Sequence, residues 1–478
     1  MKVLFLASEM APYVKTGGLA DVLASLPAAI QDLGHDVRVV LPRYRTIDVP
    51  LEYVADYGVP LGFETETAVV KKDPAAALAT YFIENYRFFD REGVYGDVAG
   101  DFGDNGARYG FFCRAALQLV DVLDWIPDIL HLNDWQTGLA ATFLRTSFTG
   151  QGRLSQTRCL FTIHNIAYQG NYPREVLDYL GLGQHLYHQD VLEFHGNVSF
   201  LKAGLVFSDA ITTVSPTYAR EIQTLDYGCG MHGVLKSRSK VLAGVLNGAD
   251  DKVWNPRTDP QLYGMNYTPR SLGRKSKIKE KVLSDLQISY DPAVPLFGMV
   301  GRLVDQKGLD ILSPILEDIL EWPIQLVILG KGHERYQRRL LQVARQYPEK
   351  AATLIRFDET WAHRIEAASD FFLMPSLYEP CGLNQMYSLR YGTIPIVRQT
   401  GGLADTVFDC RTDPMKGNGL VFSDYTSYAF RGTMAAAVEL YKDRKALDRI
   451  RRRGMQAKFT WKQSAEEYVK LYKLARSM

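Results

Sequence analysis

Cysteine is scarce in this chain: five residues, at 113, 159, 229, 381 and 410, an odd number with no C-x-x-C pair. That argues against a disulfide framework and suits free thiols in a reducing cytoplasm. An excess of charge is missing too. With 55 Lys+Arg against 54 Asp+Glu, the net charge of +1 calls for neither nucleic acid nor an acidic membrane surface. The run Arg449–Arg453 reads as the solvated face of a late helix. No apolar run approaches the roughly 18–20 residues that span a bilayer. A first strand starting at Lys2-Val3 would leave no room for a signal or transit peptide. There is no repeat of about 20–50 residues, no H-E-x-x-H and no Asp-x-Asp pair. Neither a solenoid nor a metal site is expected.

What is present is an ordinary globular composition, 46% apolar and 12% aromatic, over 478 residues. That length exceeds one ordinary core and suits two domains. In the first half, apolar runs at 3–7, 37–41, 78–83, 129–132, 159–163, 210–214 and 241–246 alternate with longer amphipathic segments. A second series follows at 296–300, 325–329, 353–357, 371–374, 394–397 and 419–422. Such alternation predicts α/β domains, each a doubly wound parallel sheet covered by helices. Turn formers between Asn247 and Pro256 mark the connection. The expected domains are 1–246 and 247–458, with a helix over 459–478 that packs on either. Ligands of open α/β sheets bind at the strands' carboxyl edges, so a cleft between the two edges is expected. A single TIM barrel is the competing architecture.

The hexapeptide Thr-Gly-Gly-Leu-Ala-Asp occurs twice, at 16–21 and 400–405, each time after an apparent strand and before an apparent helix start. Glycines there let backbone N–H groups face an anion at the positive end of a helix. A shared structural turn with no ligand is the other reading. Gly301-Arg302 to Lys307-Gly308 puts a guanidinium and an ammonium on one strand-end loop, a pattern suited to a pyrophosphate. Pro375 to Leu383 is another strand-end loop, in which Glu379 sits in a turn beside Pro380, Cys381 and Gly382. Its carboxylate suits a sugar hydroxyl or a cation, or simply the cap of the next helix. In the first half, His131 to Gln136 and Thr162 to Asn165 bring Asp134 and His164 to one sheet edge. Gly228 to Gly233 matches G-x-G-x-x-G but follows no strand, and Gly330 to His333 lacks the residues of a P-loop.

Taken together, these segments resemble the bacterial glycogen synthases and plant starch synthases, in that family's order and over essentially the whole chain. The motifs are Lys15-Thr-Gly-Gly-Leu19, Asn133-Asp-Trp135, Thr162-Ile-His-Asn165, Asn247-Gly248, Gly301-Arg302 with Lys307-Gly308, Glu379-Pro-Cys-Gly-Leu383 and Thr400-Gly-Gly-Leu403. The resemblance implies the GT-B architecture of two facing Rossmann-like domains and a retaining glucosyltransferase with no metal or cofactor. It also implies ADP-glucose as donor and glycogen or a malto-oligosaccharide as acceptor. By that resemblance Lys15, Arg302 and Lys307 hold the phosphates, helped by the amides of Gly17, Gly18, Gly401, Gly402 and Leu403. Glu379 and Asn247 bind glucose, and Asp134 and His164 lie near the reacting carbon. Asp21 and Tyr95 line the nucleotide pocket, and Phe357 stacks on adenine. The residues 381–383 and Thr400 complete the substrate contacts.

Three departures stand out: Gln136 where relatives commonly carry His, Phe357 in place of a Tyr, and Tyr387 where the wider clan has a second acid. Three alternatives keep the architecture. They are a phosphorylase with a pyridoxal phosphate lysine, a transferase using another nucleotide-sugar or acceptor, and a sugar-binding protein without catalysis.

Overall fold

The computed structural model describes residues 1–98, 100–148 and 152–478. The chain forms two units, Met1–Gly248 together with Trp461–Met478, and Ala249–Thr460. The main sheet of the first unit has strands β1 (Lys2–Leu6), β2 (Asp36–Pro42), β3 (Glu52–Leu61), β4 (Glu64–Lys72), β5 (Ala79–Glu84), β6 (Ile129–Asn133), β7 (Arg158–Ile163), β8 (Ala210–Thr213) and β9 (Leu242–Gly244). They form one sheet in the order β9-β8-β7-β6-β1-β2-β5-β4-β3. From β9 to β5 every pair is parallel. Apart from β9, these strands are largely buried on both faces, which is why most of them read as apolar runs.

The purely parallel sheet expected from sequence needs one correction. β3 and β4 form an antiparallel hairpin, and β4 pairs antiparallel with β5. The segment 52–72 alternates polar with apolar residues and leaves many of them exposed, as an edge hairpin does. It therefore lacks the apolar run that marks a buried strand.

The second unit has β10 (Leu296–Val300), β11 (Gln325–Leu329), β12 (Ala351–Leu354), β13 (Phe371–Met374), β14 (Ile394–Arg398) and β15 (Leu420–Phe422). All pairs are parallel, in the order β12-β11-β10-β13-β14-β15. Both sheets are open, so neither unit is a closed barrel. β12 begins and ends earlier than its apolar run suggests, which leaves Phe357 in the loop beyond it.

Each sheet reverses its winding at one point. In the first unit this lies between β1 and β6, in the second between β10 and β13. Diverging connections open a crevice there, at the carboxyl ends of the strands. Ser8-Glu9 and Asn133-Asp134 flank the first crevice; Gly301–Gly308 and Pro375–Glu379 flank the second.

The helix Gly18–Asp32 buries Leu19, Val22, Leu23, Leu26 and Ile30, a stripe at helical spacing. It stops where Gly34 takes φ +86° and its amide returns to Gln31 O. The C-terminal helix Trp461–Ser477 inserts Ala465, Tyr468, Tyr472 and Ala475, all fully buried, into the core of the first unit. Each aromatic ring so buried stabilises the fold by roughly 2–3 kcal/mol before entropy is counted.

Candidate active site

The Thr16–Gly18 turn holds an anion already, and it belongs to the chain. Glu9, 3% exposed at the end of β1, accepts the amides of Thr16 at 2.5 Å and Gly17 at 3.1 Å. Its other oxygen accepts the Thr16 hydroxyl at 2.6 Å and the Tyr95 hydroxyl at 2.5 Å. Tyr95 also meets Ser8 Oγ at 2.8 Å, and burial followed by the Glu9 charge pushes its pKa well up. The Gly17 amide, expected on a ligand phosphate, is thus committed to Glu9. The side-chain carboxylate nearest to a cluster of amides takes them. Lys15 pairs with Asp21 at 2.7 Å on the same turn, with both side chains a third or more exposed or nearly so. Such a pair stabilises little, about 0–1 kcal/mol, and mainly keeps the ammonium beside the turn.

The two hexapeptides serve different ends. A Cβ added at Gly17 or Gly18 would meet no other part of the protein within 4 Å, so the fold itself does not demand glycine there. The second copy is the reverse case. Gly401, at φ +45°, would put a Cβ 2.0 Å from Glu379 O, and Gly402 would put one 2.0 Å from Cys381 O. Gly402 N donates to Glu379 O at 3.1 Å and to Pro380 O at 3.2 Å, and Leu403 N donates to Thr400 O at 3.1 Å. These amides, expected on phosphate, bind the chain itself, while the Leu403 side chain packs in the core with Phe372, Met374 and Val397. Thr400 is fully buried.

At β6 and β7 the side chains converge. Asp134, 8% exposed, adopts φ +57°, a strained value for a residue with a Cβ. Its Oδ1 accepts the His164 amide at 2.7 Å and the Asn165 amide at 3.4 Å, and its own N–H donates to Thr162 O at 3.0 Å. Burial pushes its pKa up to about 7 against those two donors. His164 Nε2 lies 3.0 Å from Asn133 Oδ1, and Asn133 Nδ2 donates to Leu6 O at 3.0 Å. The amide orientation makes Oδ1 the acceptor, so His164 carries its proton on Nε2 and leaves Nδ1 as the base. Burial pushes the imidazole pKa down to about 3, so it is neutral. Asn247 is buried, and its Oδ1 has no hydrogen-bond partner among the described residues, an unusual state for a polar atom.

In the second unit two motifs meet directly. Lys307 Nζ sits 2.6 Å from Glu379 Oε2, which also accepts Ser376 Oγ at 3.0 Å. Glu379 is nearly buried at 8% side-chain exposure; Lys307 keeps 23%. Gly308, at φ +77°, lets the first loop press on the second, since a Cβ there would lie 2.1 Å from Pro375 O. Gln306 braces both loops. It accepts Arg302 Nη2 at 3.0 Å on its side chain and Leu377 N at 2.9 Å on its carbonyl, and donates to Tyr378 O at 3.3 Å. Arg302 itself is exposed. Gln385 Nε2 donates to the carbonyls of Cys381 and Gly382, each at 3.0 Å. Phe357 is 84% exposed beyond β12, offering an unpacked ring face.

Sequence reasoning missed Glu9, Ser376 and Gln306. Glu9 was legible in principle, as a carboxylate two residues after the first apolar run. His131 is not in the site: its ring is fully buried between Thr162 and Tyr472. Among the described residues, no cluster of three or more His, Cys, Asp or Glu side chains could hold a metal ion, and no helix is long and apolar enough to cross a membrane.

Two family models match the chain: a starch synthase catalytic domain over residues 2–237 and a glycosyl transferases group 1 domain over residues 288–454. Similar curated proteins include a glycogen synthase of Desulforudis audaxviator, 44% identical over 99% of this chain and 96% of that protein. A glycogen synthase of Myxococcus xanthus is 45% identical, covering 99% of both. Among solved structures, the catalytic domain of starch synthase IV from Arabidopsis thaliana, bound to ADP and acarbose, superposes with a TM-score of 0.92 at 35% identity, covering 100% of this chain and 99% of that one. A sucrose-phosphate synthase from Thermosynechococcus elongatus shares the fold alone, with a TM-score of 0.62 at 16% identity.

Proposed function

This chain belongs to the glycogen and starch synthase family of retaining glycosyltransferases, and on that premise we propose that it transfers glucose from ADP-glucose to the non-reducing end of an α-1,4-glucan. The observation that carries the donor side is the Lys307–Glu379 contact beside Arg302 at the winding reversal of the second sheet. It sets one cation against a carboxylate able to grip sugar hydroxyls, with Arg302 a second cation on the same loop.

Cleaving the glucose–phosphate bond makes the sugar oxocarbenium-like and the ADP more negative. Arg302 and Lys307 pull harder as that charge grows, which lowers the barrier; an equal pull on substrate and transition state would not. Charge neutralisation by these side chains makes the reaction metal-independent. On the first unit, Lys15 is a further candidate cation for the diphosphate, and a Cβ at Gly17 or Gly18 would meet nothing within 4 Å. Phe357 offers its exposed ring to adenine, and Asn247 brings an unsatisfied carbonyl to a sugar hydroxyl.

On the acceptor side, His164 is held neutral with Nδ1 as its basic atom, and Asp134 fixes the backbone that carries it. Asp134 spends one oxygen on two amides, so it is a poor covalent nucleophile. Attack from the leaving phosphate's face, with a phosphate oxygen taking the acceptor proton, fits better. The five cysteines are free thiols, in keeping with a reducing cytoplasm.

The test is glucose incorporation into glycogen with ADP-glucose and UDP-glucose side by side, with and without a chelator. Incorporation from ADP-glucose that survives chelation is expected. Incorporation from UDP-glucose alone would replace the donor, and loss on chelation would overturn metal independence.

A further inference from the structure

We propose that Tyr472, on the C-terminal helix, is a positioning residue for glucosyl transfer that acts through His131 and Thr162 on the strand ends bearing Asp134 and His164. The inference rests on the proposed reading of that sheet edge as part of the transferase site.

The path is a run of buried hydrogen bonds. Tyr472 Oη lies 2.7 Å from His131 Nδ1, and His131 Nε2 lies 2.7 Å from Thr162 Oγ1. Thr162 Oγ1 in turn lies 2.6 Å from Thr212 Oγ1. All four residues are fully buried. His131 and Asn133 are two apart on β6 and Asn133 pairs with Thr162 on β7, so these three share one face of the sheet, with His164 just past the end of β7. The His131–Thr162 contact is therefore a rung, and Asn133–His164 at 3.0 Å is the next rung towards the carboxyl edge. Thr162 joins the two levels, because its carbonyl accepts the Asp134 amide at 3.0 Å while Asp134 accepts the His164 amide.

The Thr162 hydroxyl has one proton and two lone pairs, so it donates to at most one of its two neighbours and accepts from the other or from both. All of the run is sealed from bulk solvent, so a buried polar atom that loses its partner is costly. Docking of the helix does not require these polar atoms. Tyr468, Ala465 and Ala475 already supply apolar contact, and the Tyr468 ring lies 5.3 Å from His131. What the Tyr472 hydroxyl adds is a fixed rotation of the His131 ring, and with it a fixed Thr162 rotamer beneath the catalytic strand ends.

The experiment compares Y472F, T162V, T162S and the Y472F/T162V double variant with the wild-type chain by steady-state kinetics, with thermal melting as the check on folding. Y472F and T162V should each lower kcat about tenfold, the scale of a slight misplacement of reacting groups, while the donor KM stays within about twofold. T162S keeps the hydroxyl and should stay near wild type. The double variant should be no slower than either single one, because both cut the same path. A kcat within about twofold of wild type for Y472F or T162V, or losses that multiply in the double variant, would overturn the proposal. If Y472F does not fold, the contrast between T162V and T162S decides. A wild-type chain inactive with every nucleotide-sugar would instead sink the reading of the reaction.

Discussion

Lys307 places its ammonium 2.6 Å from a Glu379 carboxylate that is almost sealed from solvent, although the two residues are 72 positions apart in sequence. Each is the other's ion-pair partner, so under the proposed function the ammonium is shared between this carboxylate and the donor diphosphate. Lys307→Ala and Arg302→Ala should each reduce kcat by about 10²–10³, the effect of losing one preorganised stabilising donor. Initial rates at saturating donor measure it. A loss of about tenfold or less in a folded variant would remove the electrostatic role.

The glycines make opposite predictions. Gly17→Ala should melt as the wild type does, because its Cβ enters open space, yet bind donor poorly. Gly402→Ala drives a Cβ into the Cys381 carbonyl and should cost about 1–3 kcal/mol or more of stability. Thermal melting and donor KM, measured on both, separate the cases. Equal melting temperatures would refute the structural role given to the second turn.

Phe357→Ala should leave stability unchanged, since the ring is 84% exposed. It should raise the donor KM by about tenfold, the lower part of the ~1–3 kcal/mol range for a base stacked on an aromatic ring. Phe357→Tyr should keep wild-type affinity. An unchanged KM in the alanine variant would place adenine elsewhere.

Two carboxyls should give stability–pH slopes of opposite sign. Burial alone would raise the Asp370 pKa, but Lys279 at 2.7 Å and Arg451 outweigh it and pull the group down to about 2. An unfolded Asp titrates near ~3.9, so the stabilisation is present above that pH and lost as pH falls towards 2. Asp134 runs the other way. Its folded pKa of about 7 exceeds the unfolded value, so its contribution is full below pH ~4 and lost as pH rises through 7. Urea unfolding from pH 2 to 8 should show the acid slope shrink in Asp370→Asn and the neutral slope shrink in Asp134→Asn. Wild-type slopes in both variants would count against these assignments.

Much of the fold was legible because parallel strands buried on both faces announce themselves as apolar runs, β6 and β13 being plain cases. The β3–β4 hairpin was not, since Glu64-Thr-Glu-Thr at an exposed edge resembles a loop. Motif spacing pointed to the 301–308, 375–383 and 400–405 loops, but not to their contacts. That Gly401 and Gly402 lie beneath the backbone of residues 379–381 depends on strand order, which composition does not carry. Glu9 escaped notice because it binds a turn seven residues onward, through amides that every sequence possesses. The burial of His131 was no more legible, since it depends on the C-terminal helix meeting that face of the sheet.

The docking of Trp461–Ser477 on the first unit also bears on biosynthesis. A ribosome makes the 248 leading residues long before that helix exists, and at roughly 5–20 residues per second the interval is on the order of ten to fifty seconds. Throughout that time the nascent sheet shows bare the surface that Tyr468 and Tyr472 will cover, with His131 lacking its tyrosine partner. The first unit is thus completed late, and a message truncated before the Trp461 codon would yield a polypeptide with an uncovered greasy flank, a ready substrate for chaperones and proteases.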